Sequence, residues 1–152
     1  MKVKTAGFLM LALGALLIAD ALAGGCAGPA PEAPPVSPPL PAAIIKDVTV
    51  QGAHGLIESS RDNPGFVILD VRTPEEYTSG HIEGAVNLDF SSTTFREEVS
   101  RLDRNRKYLV YCHTGRRSAG AVSVMKELGF TEVYNMSGGI SDWQAAGFPV
   151  VK

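Results

Sequence analysis

The sequence predicts an α/β domain, a parallel sheet covered by helices on both faces. Three observations carry this. Phe66-Val67-Ile68-Leu69 and Tyr108-Leu109-Val110-Tyr111 are continuous apolar runs of strand length, the pattern of strands buried on both sides. Helix-patterned segments separate these and weaker strand-length runs, as a parallel sheet with covering helices requires. Polar chemistry follows each strong run directly, with Asp70 after the first and Cys112 after the second. In such sheets the ligand sites lie at the carboxyl ends of the strands.

The chain begins with what reads as an export signal over residues 1–25. Lys2 and Lys4 form a positive start, and Ala6 to Ala19 is unbroken apolar or glycine sequence. That run is shorter than the roughly 20 residues of a membrane-spanning helix and suits a signal core. Two endings compete. Leu22-Ala23-Gly24-Gly25-Cys26 is similar to a bacterial lipobox, which would make Cys26 a lipidated N-terminus; Ala21-Leu22-Ala23 offers a simple cleavage site. A cysteine at that spot favours lipidation, although Ala23 stands where Leu is usual and Asp20 lies close by. An uncleaved anchor helix fits least well. Residues 26–43 read as a linker with prolines at 29, 31, 34, 35, 38, 39 and 41. Such a stretch extends as a polyproline-type spacer, about 50 Å long at roughly 3.1 Å per residue.

The folded domain is expected over residues 44–152, long enough for one core. Ile44 to Val48 is a weak strand and Val50 to Ser60 a helix, despite Gly52 and Gly55. After the Phe66 run, Thr73-Pro74-Glu75-Glu76 is a capping box with Pro at the first helical position. Ala85 to Leu88 is a weak strand. Thr94-Phe95-Arg96-Glu97 reads as a second capping box, opening a helix with Phe95, Val99 and Leu102 on one face. Beyond the Tyr108 run, Ser118 to Leu128 is helical, with Ala121, Val124, Met125 and Leu128 in register and Gly129 as the stop. Val133 to Met136 is the last strand, and Ile140 to Ala146 a short helix with Trp143 in the core.

Net charge is −2 over 152 residues with 45% hydrophobic content, and no basic stripe is present, which argues against nucleic acid as a partner. Three His and one usable Cys lack metal-ligand spacing, so no metal or cofactor is expected. If Cys26 carries lipid, Cys112 is the only thiol left and no internal disulfide forms.

Cys112-His113-Thr114-Gly115-Arg116-Arg117-Ser118 joins a buried strand to a helix. A helix N-terminus offers free N–H groups and partial positive charge, and Arg116 and Arg117 add two full charges. Both effects favour thiolate, so the Cys112 pKa should fall below about 8.5. Gly115 permits the curl that turns successive N–H groups inward as an anion nest. The expected product is an exposed nucleophile in a cradle for a small dianion, with Cys112 and Arg117 as catalytic groups. His113, Thr114, Gly115, Arg116 and Ser118 would bind substrate.

At these residues the sequence resembles the rhodanese family, the thiosulfate sulfurtransferases and their relatives. Leu69-Asp70-Val71-Arg72 through Glu76-Tyr77, Gly80-His81-Ile82-Glu83-Gly84-Ala85-Val86-Asn87, the loop Cys112 to Arg117, and Gly138-Gly139-Ile140-Ser141-Asp142-Trp143 with Gly147-Phe148-Pro149-Val150 are similar to its four signatures, in the right order. The resemblance implies a five-stranded parallel sheet and transfer of sulfane sulfur through a persulfide on Cys112. Asp70, Arg72 and His81 would support the active-site face. Read by themselves, Asp70 is a strand-end carboxylate, Arg72 a partner for Glu76, His81 a satisfied structural side chain, and His54 a surface-helix residue.

The expected activity is sulfur transfer from thiosulfate or polysulfide to a thiol or cyanide, on the periplasmic side of a bacterial membrane, lipid-anchored or else soluble. A rhodanese-like module that only binds a partner is the alternative from another class, though a pure binder has no need of a thiolate. Phosphatase or arsenate reductase chemistry fits less well. Phosphatases of related loop type place Arg after five intervening residues, and here that position is Ser118.

Overall fold

The structure, a computed structural model, describes residues 42–152. The expected export segment, Cys26 and the proline-rich stretch through residue 41 lie outside the described residues. Five strands form one sheet: β1 (Ile44–Val48), β2 (Phe66–Asp70), β3 (Ala85–Asn87), β4 (Lys107–Tyr111) and β5 (Glu132–Met136). Their order is β1-β5-β4-β2-β3, and every pairing is parallel. β4 is therefore the central strand, flanked by β5 and β2.

Strand alternation divides the core in two. Leu69, Tyr108, Val110 and Val133 point to one face, where they meet Phe95 and Val99 of α3 (Phe95–Ser100) and Ala121, Val122 and Met125 of α4 (Arg116–Glu127). Ile68, Leu109, Tyr111, Tyr134 and Met136 point to the other face. There they pack on Val50 and Ala53 of α1 (Val50–Ser59) and on Ile140 and Trp143 of α5 (Gly139–Ala145). An inner strand with both faces covered favours apolar side chains at successive positions, which is why Phe66–Leu69 of β2 and Tyr108–Tyr111 of β4 are continuous apolar runs.

Helix starts decide the local geometry near the site. α2 (Pro74–Ser79) has the expected capping box, with the Glu76 N–H donating to Thr73 Oγ1 and the Thr73 N–H to Glu76 Oε2. The second expected box, Thr94 with Glu97, does not form. Thr94 is already helical in φ and ψ, and its hydroxyl bonds the Glu98 carboxylate instead. Ser92 does part of the capping by accepting from the Thr94 N–H. Trp143 is 2% exposed, a core residue as expected. His54 is not a plain surface residue: its ring stacks on Phe148 at 4.4 Å and lies near Trp143 at 5.8 Å.

Candidate active site

Cys112 follows the last residue of the central strand β4, so it stands at the carboxyl end of the sheet. The chain then curls through Gly115, whose φ of 95° is left-handed, directly into α4. α4 starts at Arg116, two residues before the expected Ser118, and the two arginines therefore form its first turn. The left-handed φ favours glycine at 115, and a Cβ there would also crowd the Gly138 nitrogen at 3.2 Å.

The curl closes around the sulfur. The Gly115 N–H donates to Cys112 Sγ at 3.1 Å. Burial pushes the thiol pKa up, but the Ser118 N–H and hydroxyl and the N–H groups of Thr114 and Gly115 outweigh it, and the net shift is downward. The Ser118 hydroxyl also lies 3.0 Å from the Gly115 carbonyl, between two acceptors. Cys112 is not the exposed nucleophile that the sequence suggested: only 1% of it is accessible. The loop wraps its own cysteine, because N–H groups that converge on one atom necessarily surround it.

The carbonyls of the same loop are taken up elsewhere. The N–H groups of Ile140 and Ser141 in α5 donate to the carbonyls of Cys112 and His113, at 2.9 and 3.0 Å. The Ser141 hydroxyl lies 3.3 Å from His113 Nε2. This docking needs Gly139. A Cβ there would sit 2.5 Å from the His113 oxygen and closer still to that of Cys112. Two helix N-termini thus build the nest together. α5 binds the carbonyls of the loop, and α4 leaves its N–H groups facing the sulfur.

Arg117 is held from outside the loop. Its Nη1 and Nη2 each lie 2.7 Å from a carboxylate oxygen of Glu76, a bidentate pair. The Arg117 guanidinium hydrogen bonds hold the Glu76 carboxyl down at about 2, against partial burial. Arg117 is raised, chiefly by Glu76, with a smaller contribution from Cys112. The expectation of two uncompensated cationic charges on the thiol therefore changes. Glu76 balances Arg117, Arg116 is exposed, and the donors that favour the thiolate most are N–H groups and the Ser118 hydroxyl.

The remaining sequence candidates separate by place. His113 and Thr114 are exposed on the rim, while Ser118 is fully buried against the sulfur. Arg72 does not pair with Glu76. It bonds Asp70, with Nη2 to Oδ2 at 2.6 Å, and the Gly80 carbonyl at 2.8 Å. Asn87 adds bonds to the carbonyls of Asp70 and Arg72. This buried network ties the end of β2 to β3 and to the residue that follows α2. His81 stacks on Tyr77 at 3.8 Å, bonds its carbonyl at 3.1 Å, and bridges to Val151 through the backbone. None of its hydrogen bonds reaches the 112–118 loop.

Sequence reasoning alone missed Glu76, Gly139 and Ser141 as members of this site. A signal existed for the first two. The capping box fixes where the Glu76 carboxylate lies, and paired glycines ahead of a helix mark a close backbone approach.

Residues 53–146 match the family described as the rhodanese-like domain. The chain is 38% identical over 74 residues to thiosulfate sulfurtransferase PspE of Escherichia coli (strain K12), covering 49% of this chain and 70% of that protein. It is 41% identical over 102 residues to "Putative sulfur carrier protein YrkF" of Bacillus subtilis (strain 168), covering 67% of this chain but 52% of the relative. Among solved structures, a rhodanese-related protein from Thermoplasma volcanium superposes with a TM-score of 0.58 at 33% identity. That match covers 70% of this chain and 97% of the other.

Proposed function

Since the chain belongs to the rhodanese-like domain family, and its sulfurtransferase relatives support sulfur transfer as its general chemistry, we propose that Cys112 takes sulfane sulfur from a small anionic donor and passes it on as a persulfide. The observation that carries this reading is the nest around Sγ, a thiol whose pKa is lowered by N–H groups and a hydroxyl at the mouth of a helix. With thiosulfate as donor, the Cys112 thiolate attacks the outer sulfur. A new S–S bond forms, the donor S–S bond breaks, and sulfite leaves with the electron pair. An acceptor thiolate or cyanide then attacks the outer persulfide sulfur, and Cys112 returns as thiolate. Both steps exchange one sulfur atom, so no external oxidant or reductant is needed. The acceptor comes from outside the domain, because Cys112 is the one cysteine among the described residues.

Negative charge gathers at the same point in each step, and donors already oriented there stabilise it without rearrangement. Arg117, steadied by Glu76, is the cation beside the sulfur, and His113, Thr114 and Arg116 form the rim a donor meets first. Asp70, Arg72 and His81 act through the scaffold. Cys26, if lipidated, would tether the domain to a membrane on the exported side. Among the described residues no helix is long and apolar enough to cross one.

Mass spectrometry of the protein after exposure to thiosulfate tests the proposal. One added sulfur atom on Cys112, removed by cyanide, is expected. A Cys112 that stays unmodified while the fold is intact would overturn sulfur transfer and leave a binding module. The resemblance to a protein named as a sulfur carrier favours a second reading, in which the loaded persulfide goes to a protein acceptor. Fast loading with slow turnover to small thiols would mark that case.

A further inference from the structure

Ser118 is the third residue of α4 and is fully buried. A hydroxyl so enclosed cannot be the first contact of an entering donor. Gly115 links it to the nucleophile instead. The Gly115 N–H donates to Cys112 Sγ at 3.1 Å, and the Gly115 carbonyl accepts from the Ser118 hydroxyl at 3.0 Å. The same hydroxyl is one of the donors that favour the Cys112 thiolate. Its single hydrogen therefore has two acceptors, a carbonyl and a sulfur.

The Gly115 carbonyl has a second donor of its own, the Ala119 N–H at 3.1 Å. Loss of the Ser118 hydrogen does not leave that buried carbonyl unpaired, so the hydrogen is free to rotate to the sulfur with no side chain moving. The charge on Sγ decides between the two positions. A thiolate is an ionised acceptor and takes the stronger, charge-assisted bond. In a persulfide the negative charge lies on the outer sulfur, and Sγ becomes a neutral divalent sulfur, a weak acceptor like that of Met.

We propose, on the reading that Cys112 transfers sulfur, that the Ser118 hydroxyl serves the release step. Its hydrogen rests on the Gly115 carbonyl while Cys112 carries sulfur, and turns to Sγ as the persulfide breaks. In that step the acceptor attacks the outer sulfur and forms a bond to it. The S–S bond to Cys112 breaks, and its electron pair goes to Sγ. Ser118 keeps its proton throughout and supplies only a hydrogen bond to the departing thiolate. The two half-reactions then respond differently to this bond. A stabilised thiolate leaves faster, whereas the same stabilisation weakens it as a nucleophile.

Ser118→Ala removes the hydroxyl alone, and the Ala119 N–H still satisfies the Gly115 carbonyl, so a native melting curve is expected. The full chain is alkylated with iodoacetamide across pH, read on the Cys112 peptide by mass spectrometry. Loading is followed by sulfite release from thiosulfate, and unloading by thiocyanate formation when the isolated loaded protein meets cyanide. In Ser118→Ala the alkylation midpoint should move to higher pH, and unloading should be about three- to tenfold slower. Loading, compared where both proteins alkylate at their plateau rate, should be unchanged or up to about threefold faster. Equal slowing of both half-reactions, or unaltered unloading, would overturn the proposal. A wild-type Cys112 that alkylates but takes no sulfur would sink sulfur transfer and the release step with it. An unmoved midpoint would refute the role of the hydroxyl even where sulfur transfer stands.

Discussion

Replacing Glu76 by Gln tests whether the α2 capping box clamps the catalytic loop. Gln keeps the size and can still accept from the Thr73 N–H, but it cannot offer two charged oxygens to Arg117. The carboxyl is lowered from 4.5 to about 2, which at full transmission corresponds to about 3 kcal/mol. The two side chains are 28% and 33% exposed, so solvent screening leaves about 1–2 kcal/mol. The expected urea midpoint then falls by roughly 0.5–1 M at pH 7. Because the folded-state pKa lies below the unfolded one, this contribution is complete above pH 4.5 and is lost as pH falls from there towards 2. Urea unfolding of Glu76→Gln, Arg117→Gln and the double variant at pH 7 and at pH 3 gives the coupling energy directly. A coupling of about 1 kcal/mol at pH 7 that shrinks at pH 3 is expected. A coupling below about 0.3 kcal/mol, or one indifferent to pH, would refute the clamp.

Cys112→Ser should abolish thiosulfate–cyanide activity while the far-ultraviolet spectrum is kept, and substantial residual turnover would exclude the persulfide route. Arg117→Ala should slow transfer from anionic donors by about 10- to 100-fold, yet leave the Cys112 titration still below that of a free thiol, because its N–H donors remain. A titration fully restored to the free value would mean that the cation, not the nest, activates the sulfur. Gly139→Ala, with φ of 60° and a Cβ driven into the loop carbonyls, should cost about 2–4 kcal/mol and impair persulfide loading; a wild-type melting temperature would show that α5 is free to retreat. If Cys26 is lipidated, the protein should partition with membranes and Cys26→Ser should release it or block processing; a mature N-terminus at Gly24 would rule out the lipid anchor.

Much of this protein is legible in its sequence because its signals are local. Phe66–Leu69 and Tyr108–Tyr111 announced doubly covered strands, since an inner parallel strand favours apolar side chains on both faces. The loop 112–118 announced a thiol at a helix start, since strand, glycine and first helical turn are contiguous. What tertiary structure decided is where charge and carbonyls find partners. Glu76 could have turned to Arg72 or to Arg117, and only the packing of α2 beside the loop brought it to Arg117, while Arg72 closed on Asp70 within the buried end of β2. Thr94 with Glu97 carried the same capping motif as Thr73 with Glu76, but the turn beginning at Ser92 left Thr94 already helical and the box unmade. Spacing along the chain also could not show that α5, which starts 27 residues beyond Cys112, would seat the N–H groups of Ile140 and Ser141 on the loop carbonyls. A local motif fixes which hydrogen bonds a segment is able to make. The long-range fold fixes which of them win, because every partner from another element must first be brought within about 3 Å.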